Sequence, residues 1–308
     1  MLRALGLGDL LTAVPALRAL ARAFPEHRRV LATPAPLAPL ARLSGAVDAV
    51  LDVAPLAPLP RAAAGAEVAV NLHGRGPQSH RVLLDAAPER LIAFAHPEVP
   101  ESAGGPPWRA GEHEVARWCR MLGEHGVAAD PDDLDLALPP GCEPPPEGRG
   151  ATLIHPGAAR GARRWPVERW MEVARAEAGA GRHVLVTGGP GEEELARDVA
   201  DGAGLPARAA AHAGQTDLLG LAGLVAAADR VLCGDTGVAH LATALRTSSV
   251  VLFGPTSPTE WGPPSDRPWH RALWAGGRGD PHASEPDPGL LDLSVADVLA
   301  AARRLPAS

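Results

Sequence analysis

Lysine and tyrosine are both absent from this chain of 308 residues, so its 29 basic side chains are all arginines. Without lysine the protein cannot form a Schiff base, place a lysine on a phosphate-binding P-loop or use a lysine as a general base. Any fixed positive charge in a binding site must therefore come from arginine, which contacts phosphate and carboxylate oxygens through a planar, bidentate fork.

Cysteine is scarce: Cys119, Cys142 and Cys233 lie far apart, and no CxxC pair occurs. This pattern argues against a disulfide framework or a cysteine zinc site, and it favours free thiols in a reducing compartment. No two histidines have ligand spacing on one predicted helix with a third partner nearby. We therefore expect no metal and no other cofactor.

Excess positive charge and long apolar runs are also lacking. The formal net charge is −7 and the arginines are dispersed, which argues against nucleic acid as a partner. No stretch reaches the roughly 18 uninterrupted apolar residues of a membrane span. We expect a cytoplasmic protein, and peripheral contact with the inner face of a membrane is left open.

Short apolar runs alternate with Ala- and Leu-rich helical segments, which predicts parallel βαβ units and an α/β fold. The alternation breaks at about residues 128–150, where Pro, Gly and acids dominate and a linker is indicated. We expect two Rossmann-like, doubly wound domains facing a cleft, over residues 1–140 and 150–308. The Pro-, Gly- and Trp-rich stretch Gly262–Asp287 is predicted to be a long loop. Whether the last helix, Val295–Leu305, packs back on the first domain is left open.

The segment Gly234–Leu245 (GDTGVAHLATAL) is the most informative in the chain. It follows the apolar run Arg230–Cys233, which is predicted to be a buried strand, and then becomes helical. A second apolar run, Ser249–Phe253, leads into Gly254-Pro255-Thr256. A glycine-containing turn that opens a helix presents backbone N–H groups and the positive end of the helix dipole, which suits a phosphate. Taken alone, the segment is equally well a helix capped by Asp or Thr.

Arginines crowd another strand-end loop, residues 155–164, which begins HPGA and includes Arg163. Such a loop suits a diphosphate through bidentate contacts, and a solvated basic loop is the alternative. The loops 155–164, 234–240 and 254–257 would meet at the same edge of a parallel sheet. A phosphate-bearing ligand explains that convergence better than three unrelated turns do.

A short strand predicted at Leu2–Leu5 is followed by a tight turn that places Asp9 at the start of a helix. The dinucleotide fingerprint fails here, because Leu11 stands where its third glycine would be. At the carboxyl end of a sheet, Asp9 suits a general base for a hydroxyl; an ordinary N-cap or first-turn acid is the alternative.

The loop Asn71–Gly76 is a candidate second-substrate site or simply a turn. The DxD-like Asp133–Asp135 lies in the linker and is rejected as a metal motif.

Several segments taken together resemble glycosyltransferase family 9, the heptosyltransferase-like family. They are Leu5–Leu17 (LGLGDLLTAVPAL), His155–Ala158 (HPGA), Arg163–Pro166 (RRWP), Val186–Pro190 (VTGGP), Gly234–Leu245 and Leu252–Thr256 (LFGPT). Their order and spacing span nearly the whole chain. The resemblance implies a bacterial enzyme with a GT-B fold, an acceptor domain followed by a nucleotide-sugar domain, and an inverting, metal-independent sugar transfer.

The resemblance also implies roles for individual residues. Asp9 matches the catalytic base, and Asp235, Thr236, Gly237 and His240 match the donor-binding motif. From the places of the loops at the ends of strands, acceptor contacts are expected in the first domain from Gly8, Asn71, His73 and Arg75. Donor and phosphate contacts are expected from a larger set: His155, Gly157, Arg163, Arg164, Gly188, Asp235, Thr236, Gly237, His240, Gly254 and Thr256. Arg163 stands where the family often has lysine, which keeps the charge and changes its geometry.

We therefore expect a transferase that moves a sugar, with heptose one candidate, from a nucleotide diphosphate donor to an acceptor hydroxyl. The acceptor is a glycan, a glycolipid or a small molecule. Two alternatives stay open: a nucleotide-sugar 2-epimerase on the same fold, and a sugar-nucleotide-binding module without catalysis. The nucleotide base is open as well, because Leu219 stands where some relatives have a ribose-contacting acid.

Overall fold

A computed structural model describes residues 1–139 and 146–306 of the chain. Two compact units follow one another, Met1–Leu136 and Ala137–Ser308. Residues 140–145, which include Cys142 and part of the predicted linker, lie outside the described residues, as do residues 307–308 of the predicted second domain. Both units are α/β structures with parallel strands, as the alternation of apolar and helical segments predicts.

The first unit has a sheet with the Leu2 segment at its centre. Its strands are Val30–Thr33 (β1), Ala49–Asp52 (β2), Val68–Val70 (β3) and Arg90–Ile92 (β4), and its helices are Leu7–Thr12 (α1), Val14–Ala23 (α2), Ala38–Leu43 (α3), Gln78–Leu84 (α4) and Glu114–Glu124 (α5). β1 pairs with β2 and β3 with β4, all in parallel. The predicted strand Leu2–Leu5 is reduced to a bridge: Leu2 pairs with Ala32 on one side and Asn71 on the other. The order across the sheet is therefore β4-β3-Leu2-β1-β2.

Two short helices, separated at Ala13, follow the Leu2 segment. α1 ends at Thr12, and α2 begins at Val14 with Pro15 in its first turn. Proline is tolerated at that place because the first N–H groups of a helix have no intrahelical partner. The break leaves α1 as a short helix whose first turn carries Asp9 at the carboxyl edge of the sheet.

The second unit is a parallel sheet with the strand order β6-β5-β7-β8-β9. Its strands are Thr152–His155 (β5), Val184–Val186 (β6), Arg230–Gly234 (β7), Ser248–Phe253 (β8) and His270–Trp274 (β9). Its helices are Val167–Gly179 (α6), Glu193–Gly202 (α7), Leu218–Ala227 (α8), Gly237–Ala244 (α9), Pro258–Trp261 (α10), Pro288–Leu291 (α11) and Val295–Arg303 (α12). The middle strands are buried along nearly their whole length, which explains why they read as continuous apolar runs.

Helix α6 shows how the core of the second unit is assembled. Trp170, Val173 and Glu177 lie on one stripe at helical spacing and are buried. The Glu177 carboxylate accepts hydrogen bonds from Thr152 Oγ1 at 2.9 Å and Arg182 Nη1 at 3.4 Å, so its burial is compensated. The buried face of α12 belongs to this same core. Packing of α12 on the first unit stays a prediction.

The prediction of one long loop over Gly262–Asp287 is wrong, because the stretch contains β9, which pairs in parallel with β8. β9 lies at the edge of the sheet and exposes Arg271 and Ala272, so it has no apolar run that would reveal a strand. His270, its buried first residue, is held by a 2.8 Å hydrogen bond between its Nδ1 and Ser249 Oγ.

The structure also describes two of the three thiols and the character of the helices. Cys119 and Cys233 are buried and free. Burial raises the pKa of the Cys119 thiol to about 12 and also raises that of Cys233, so both are neutral packing groups. Across residues 1–139 and 146–306, no helix combines the length and apolar character that crossing a membrane requires.

Helix α12 begins with a reciprocal cap. Ser294 Oγ accepts a hydrogen bond from Asp297 N at 3.2 Å, and Asp297 Oδ2 accepts one from Ser294 N at 3.0 Å. We expect Ser294→Ala to lower the free energy of unfolding by about 1 kcal/mol, because a first-turn N–H loses its partner. Chemical denaturation measures this loss. Ser265→Ala, at an exposed loop position, is the control, and an equal loss there would contradict the capping role.

Candidate functional site

In both units the strand order reverses beside the first segment of the sheet. In the first unit the Leu2 segment has β1 on one side and β3 on the other, and in the second β5 lies between β6 and β7. Ligands of open α/β sheets bind beyond the carboxyl ends of strands at such a reversal. The loops that follow these central strands are therefore the places where functional side chains should collect.

Asp9 lies at the reversal in the first unit, in the first turn of α1. Its Oδ2 accepts a hydrogen bond from Gly6 N at 3.2 Å, and its Oδ1 lies 3.4 Å from Arg3 Nη2. Gly6 is the N-cap, and Gly8 is the second residue of the helix. About a third of the Asp9 side chain, 29%, remains exposed. Asp9 is thus a first-turn acid whose carboxylate is oriented and still open to solvent.

Arg3 is fully buried beneath Asp9. Its Nε donates to Asp9 O at 2.8 Å, its Nη1 donates to Leu72 O, and its Nη2 reaches Thr12 Oγ1 at 3.2 Å. The guanidinium also lies over the ring of Trp118, 4.9 Å from its centroid. Sequence reasoning missed Arg3, although a charged residue inside the apolar run at the start of the chain was an available signal.

Glu114, the first residue of α5, is the second carboxylate on Arg3. Its Oε1 accepts from Arg3 Nη2 at 3.0 Å and from Trp118 Nε1 at 2.8 Å, and its Oε2 pairs with Arg117. Burial alone would raise the pKa of Glu114, but the charges of Arg3 and Arg117 outweigh it and hold the pKa below its usual value. Nothing in the local sequence marks Glu114, because its partner lies 111 residues away.

The loop after β3 is organised around Asn71. Its Nδ2 lies within hydrogen-bond distance of Gly74 O, Ser79 Oγ and His80 Nδ1, at 3.2, 2.9 and 2.8 Å, and its Oδ1 accepts from His73 N at 2.9 Å. Both ends of the amide are therefore engaged in shaping the loop. The acceptor contact expected of Asn71 stays a prediction.

His73 projects from this loop beside Arg3. Its Nδ1 is buried without a hydrogen-bond partner among the described residues. Burial, reinforced by the charge of Arg3, lowers the pKa of His73 to about 4, so the ring is neutral near pH 7. Arg75, two residues further on, is exposed. The first unit thus places a carboxylate, a neutral imidazole and an exposed cation on loops that leave the same sheet edge.

In the second unit, β5 ends in His155, which is buried. Its Nδ1 lies 3.1 Å from Thr187 Oγ1 after β6, and its Nε2 lies 3.9 Å from Glu192 Oε2. Burial lowers the pKa of His155, although the charge of Glu192 opposes the shift. Glu192, which the sequence analysis missed, also accepts a hydrogen bond from Gly189 N at 2.8 Å.

Two of the predicted phosphate-binding glycines make room for Glu192. A Cβ atom on Gly157 would lie 2.3 Å from the Glu192 carboxyl group, and one on Gly188 would lie 3.0 Å from its Cβ. A larger residue at either position would require Glu192 to move, so the glycines allow the loops after β5 and β6 to pack closely. Their expected contact with a phosphate stays a prediction.

Arg163 joins the loops after β5 and β7, where the strand order reverses. Its Nη1 approaches Asp235 O at 3.5 Å, and a Cβ atom on Gly234 would lie 3.1 Å from Arg163 O. Within the part of the chain that the structure describes, Arg163 Nε is buried and has no hydrogen-bond partner. Arg164 is exposed, and its Nε donates to Ala158 O at 2.8 Å. Arg163 thus holds a cation at the reversal with donor capacity unused.

The segment after β7 forms the expected turn and helix. Asp235 is buried, Thr236 is the N-cap of α9, and Gly237 is the first residue of the helix. His240 lies one turn later, with its ring centroid 6.0 Å from that of Trp261. The first N–H groups of α9 therefore point out of the carboxyl edge of the sheet.

The loop after β8 carries Gly254 and half-buried Thr256. A Cβ atom on Gly254 would lie 2.9 Å from Leu290 Cβ and 3.3 Å from Ala162 O. Because β5, β7 and β8 are adjacent and parallel, the three loops predicted to converge do so.

The arginine loop of the second unit is clamped by a distant stretch of chain. A Cβ atom on Gly161 would lie 1.5 Å from Ser284 O, which no side chain can tolerate. Ala162 N donates to Ala283 O at 3.0 Å, and Ala162 O accepts from Asp287 N at 3.2 Å. The position of Arg163 thus depends on residues 283–287.

Two further observations concern metal binding and a cavity elsewhere in the first unit. Among residues 1–139 and 146–306, no group of three or more His, Cys, Asp or Glu side chains could hold a metal ion. A cavity of about 440 Å³ lies in the first unit at the amino ends of β1 and β3, where Phe24, Val30 and Val68 line it. That is the edge opposite Asp9, so the cavity is separate from the candidate site.

Comparisons with known sequences match one family. Residues 124–276, about half of the chain, match the family model described as Glycosyltransferase family 9 (heptosyltransferase). Over 120 residues the chain is 33% identical to lipopolysaccharide heptosyltransferase 1 of Escherichia coli K12. That match covers 37% of this chain and 35% of the relative, so it spans about a third of the relative's length.

Solved structures extend the likeness to the whole chain. The structure described as E. coli ADP-heptose lps heptosyltransferase II has a TM-score of 0.76 at 20% identity and covers 98% of this chain and 96% of its own. The E. coli heptosyltransferase WaaC with ADP has a TM-score of 0.69 at 20% identity and covers 98% of both chains. At these identities the likeness shows the fold, which is GT-B as predicted.

The lowered pKa of His73 predicts a pH dependence of stability. An unfolded histidine has a pKa near 6.5, whereas that of folded His73 is about 4. The unfolded state therefore binds more protons between these values, and stability that is present above pH 6.5 is lost as the pH falls toward 4. We expect His73→Gln to show a shallower loss across this window in chemical denaturation at a series of pH values.

The control for this measurement is His282→Gln, at an exposed position. It should keep the slope of the wild-type protein. A His73→Gln slope equal to that of wild type would contradict the lowered pKa.

Proposed function

Because the chain is a heptosyltransferase-like protein of the glycosyltransferase family 9 type, we propose that it transfers a sugar from a nucleotide diphosphate donor to an acceptor hydroxyl. Heptose and ADP are the first choices, because the similar proteins are named for heptose transfer and one solved neighbour holds ADP. The acceptor is a glycan, a glycolipid or a small molecule. The reaction takes place in the cytoplasm, with peripheral membrane contact when the acceptor is a lipid.

The observation that carries the proposal is the Asp9 carboxylate at the strand-order reversal of the first unit. Its orientation is fixed by Gly6 N and the Arg3 guanidinium, and 29% of the side chain stays exposed. A general base needs this combination of fixed geometry and access to its substrate. In this proposal the first unit, up to about residue 140, binds the acceptor, and the second, from about residue 150, binds the donor.

The second unit supports a diphosphate site. Arg163 holds a guanidinium with an unpaired, buried Nε beyond the carboxyl ends of β5 and β7, and the first turn of α9 directs N–H groups at the same edge. Charge-assisted hydrogen bonds and a helix N-terminus both favour a negatively charged ligand. Thr236, Gly237 and Thr256 complete the lining, and His240 is the side chain proposed to reach the sugar.

The reaction is a single displacement with inversion and without a metal. The acceptor oxygen attacks C1 of the donor sugar, the C1–O bond to the diphosphate breaks, and Asp9 takes the hydroxyl proton. Arg163 and the α9 N–H groups stabilise the negative charge that develops on the departing diphosphate. Neutral His73 and exposed Arg75 orient the acceptor, and Gly8 lets it approach the backbone of α1.

Asp9→Asn should lower the turnover number by about 10²- to 10⁴-fold while donor affinity changes little, because the base is lost and the side-chain shape is kept. Product release from ADP-heptose with and without an acceptor panel measures the rate. Conversion of donor without any acceptor would instead favour the epimerase.

Asp297→Asn is a matched control. Asp297 is the third residue of α12, and its carboxylate accepts a hydrogen bond from the N-cap N–H of that helix, as the carboxylate of Asp9 does in α1. If Asp9 only caps its helix, both variants will lose stability and neither will lose turnover, which would reject the base assignment.

Thermal unfolding in the presence of ADP, UDP, GDP, CDP or dTDP tests the donor site. A ligand at 100 times its Kd stabilises the fold by about 2.7 kcal/mol, and we expect ADP to give the largest upward shift. Arg163→Gln should weaken ADP binding by about 10- to 100-fold, the usual loss for a charge-assisted hydrogen bond.

Exposed Arg160, in the same loop, provides the control variant Arg160→Gln, which should bind ADP as the wild type does. Equal weakening in both variants would indicate attraction by the loop's net charge instead of a defined Arg163 contact.

A further inference from the structure

Asp9 and Glu114 approach the same nitrogen atom of Arg3. Glu114 Oε1 lies 3.0 Å from Nη2 and Asp9 Oδ1 lies 3.4 Å from it. The Glu114 contact is the shorter one and is almost fully buried, whereas the Asp9 carboxylate reaches solvent. Because the strength of a charge pair rises as distance and solvent exposure fall, Glu114 is the principal counter-ion of Arg3.

The groups around this trio define its charge balance. α5 contributes Arg117, which pairs with Glu114, and the Trp118 ring, over which Arg3 lies. The loop after β3 contributes His73, and α1 contributes the uncharged Thr12 hydroxyl. His73 is neutral near pH 7, so in these contacts two arginines, Arg3 and Arg117, face two carboxylates, those of Glu114 and Asp9.

We propose that Glu114 is a positioning residue of the transferase: by taking up the charge of Arg3, it lets Arg3 fix the Asp9 carboxylate without suppressing its basicity. This inference rests on the proposed function for the role of Asp9 as a base. An arginine that paired with Asp9 alone would stabilise the carboxylate and make it a weaker proton acceptor. A buried second carboxylate removes that conflict between orientation and basicity.

Glu114→Gln tests the assignment, because the amide keeps the shape and an acceptor oxygen for Arg3 and Trp118 but loses the charge. The charge of Arg3 is then no longer offset by Glu114, so Arg3 stabilises the ionised form of Asp9 more strongly. The pKa of Asp9 should therefore fall by about half a unit or more. Arg117→Gln removes the other cation held by Glu114, so the pKa of Asp9 should rise. A residue with a merely structural role would not shift the pKa in opposite directions in the two variants.

The readout is the pH titration of the carboxyl carbon of Asp9 by NMR, in protein labelled with ¹³C-aspartate. Comparison with Asp9→Asn assigns the signal. The titration needs no turnover, so it is independent of the proposed function. The pH profile of kcat with donor and acceptor is recorded in parallel, and its acidic limb should move by the same amount as the pKa.

Two controls separate this effect from general loss of charge or stability. Glu112→Gln removes an acid two residues away that pairs with Arg120, and Glu177→Gln removes a buried acid that pairs with Arg182 in the second unit. Both should leave the Asp9 titration unchanged. Glu114→Asp keeps the charge and should titrate close to wild type.

The outcomes are distinct. Opposite pKa shifts in Glu114→Gln and Arg117→Gln, with a matching shift of the kcat profile, support the inference and the proposed function together. The same pKa shifts without any shift of the profile retain the charge assignment and reject Asp9 as the base. An Asp9 pKa that stays constant in both variants overturns the inference whatever the turnover. If Glu114→Gln does not fold, Arg117→Gln alone decides.

Discussion

The buried guanidinium of Arg3 is the constraint on which the first unit depends. A cation removed from water is tolerated only when charge and hydrogen bonds replace its hydration. Arg3 obtains them from the Leu72 carbonyl oxygen, the Thr12 hydroxyl and the Glu114 carboxylate. These partners come from the loop after β3, from α1 and from α5, so one side chain sets the relative positions of three elements. The orientation of Asp9 follows from that arrangement.

The second unit fixes its loops by close backbone approach instead. Gly157 leaves space for the Glu192 carboxyl group, Gly188 lies close to the Cβ and carbonyl oxygen of Glu192, and Gly161 lies where a side chain would collide with Ser284 O. Because a glycine has no Cβ, adjacent loops can meet at distances that other residues forbid. The two units therefore use the same topological position, the reversal of strand order, and stabilise it by different means: a buried ion cluster in one and glycine contacts in the other.

The sequence predicted the features that repeat locally. The alternation of apolar and helical segments gave the α/β class and the convergence of three loops in the second unit, and the motif resemblance gave the GT-B fold. Contacts between distant residues left no local pattern, so the partnership of Arg3 with Glu114 was missed. β9 was missed for a related reason: an edge strand with an exposed face resembles a loop in composition.

The clamp on the arginine loop has a consequence for how specificity can change. Residues 283–287 hold Ala162 by two backbone hydrogen bonds and pack against Gly161. Substitutions in residues 283–287, natural or selected, would therefore change the position of the Arg163 side chain. No residue of the loop that carries Arg163 would need to change. Libraries intended to alter donor preference therefore have a second set of positions to vary, residues 283–287. Position 161 should co-vary with the chain around Ser284 among related proteins.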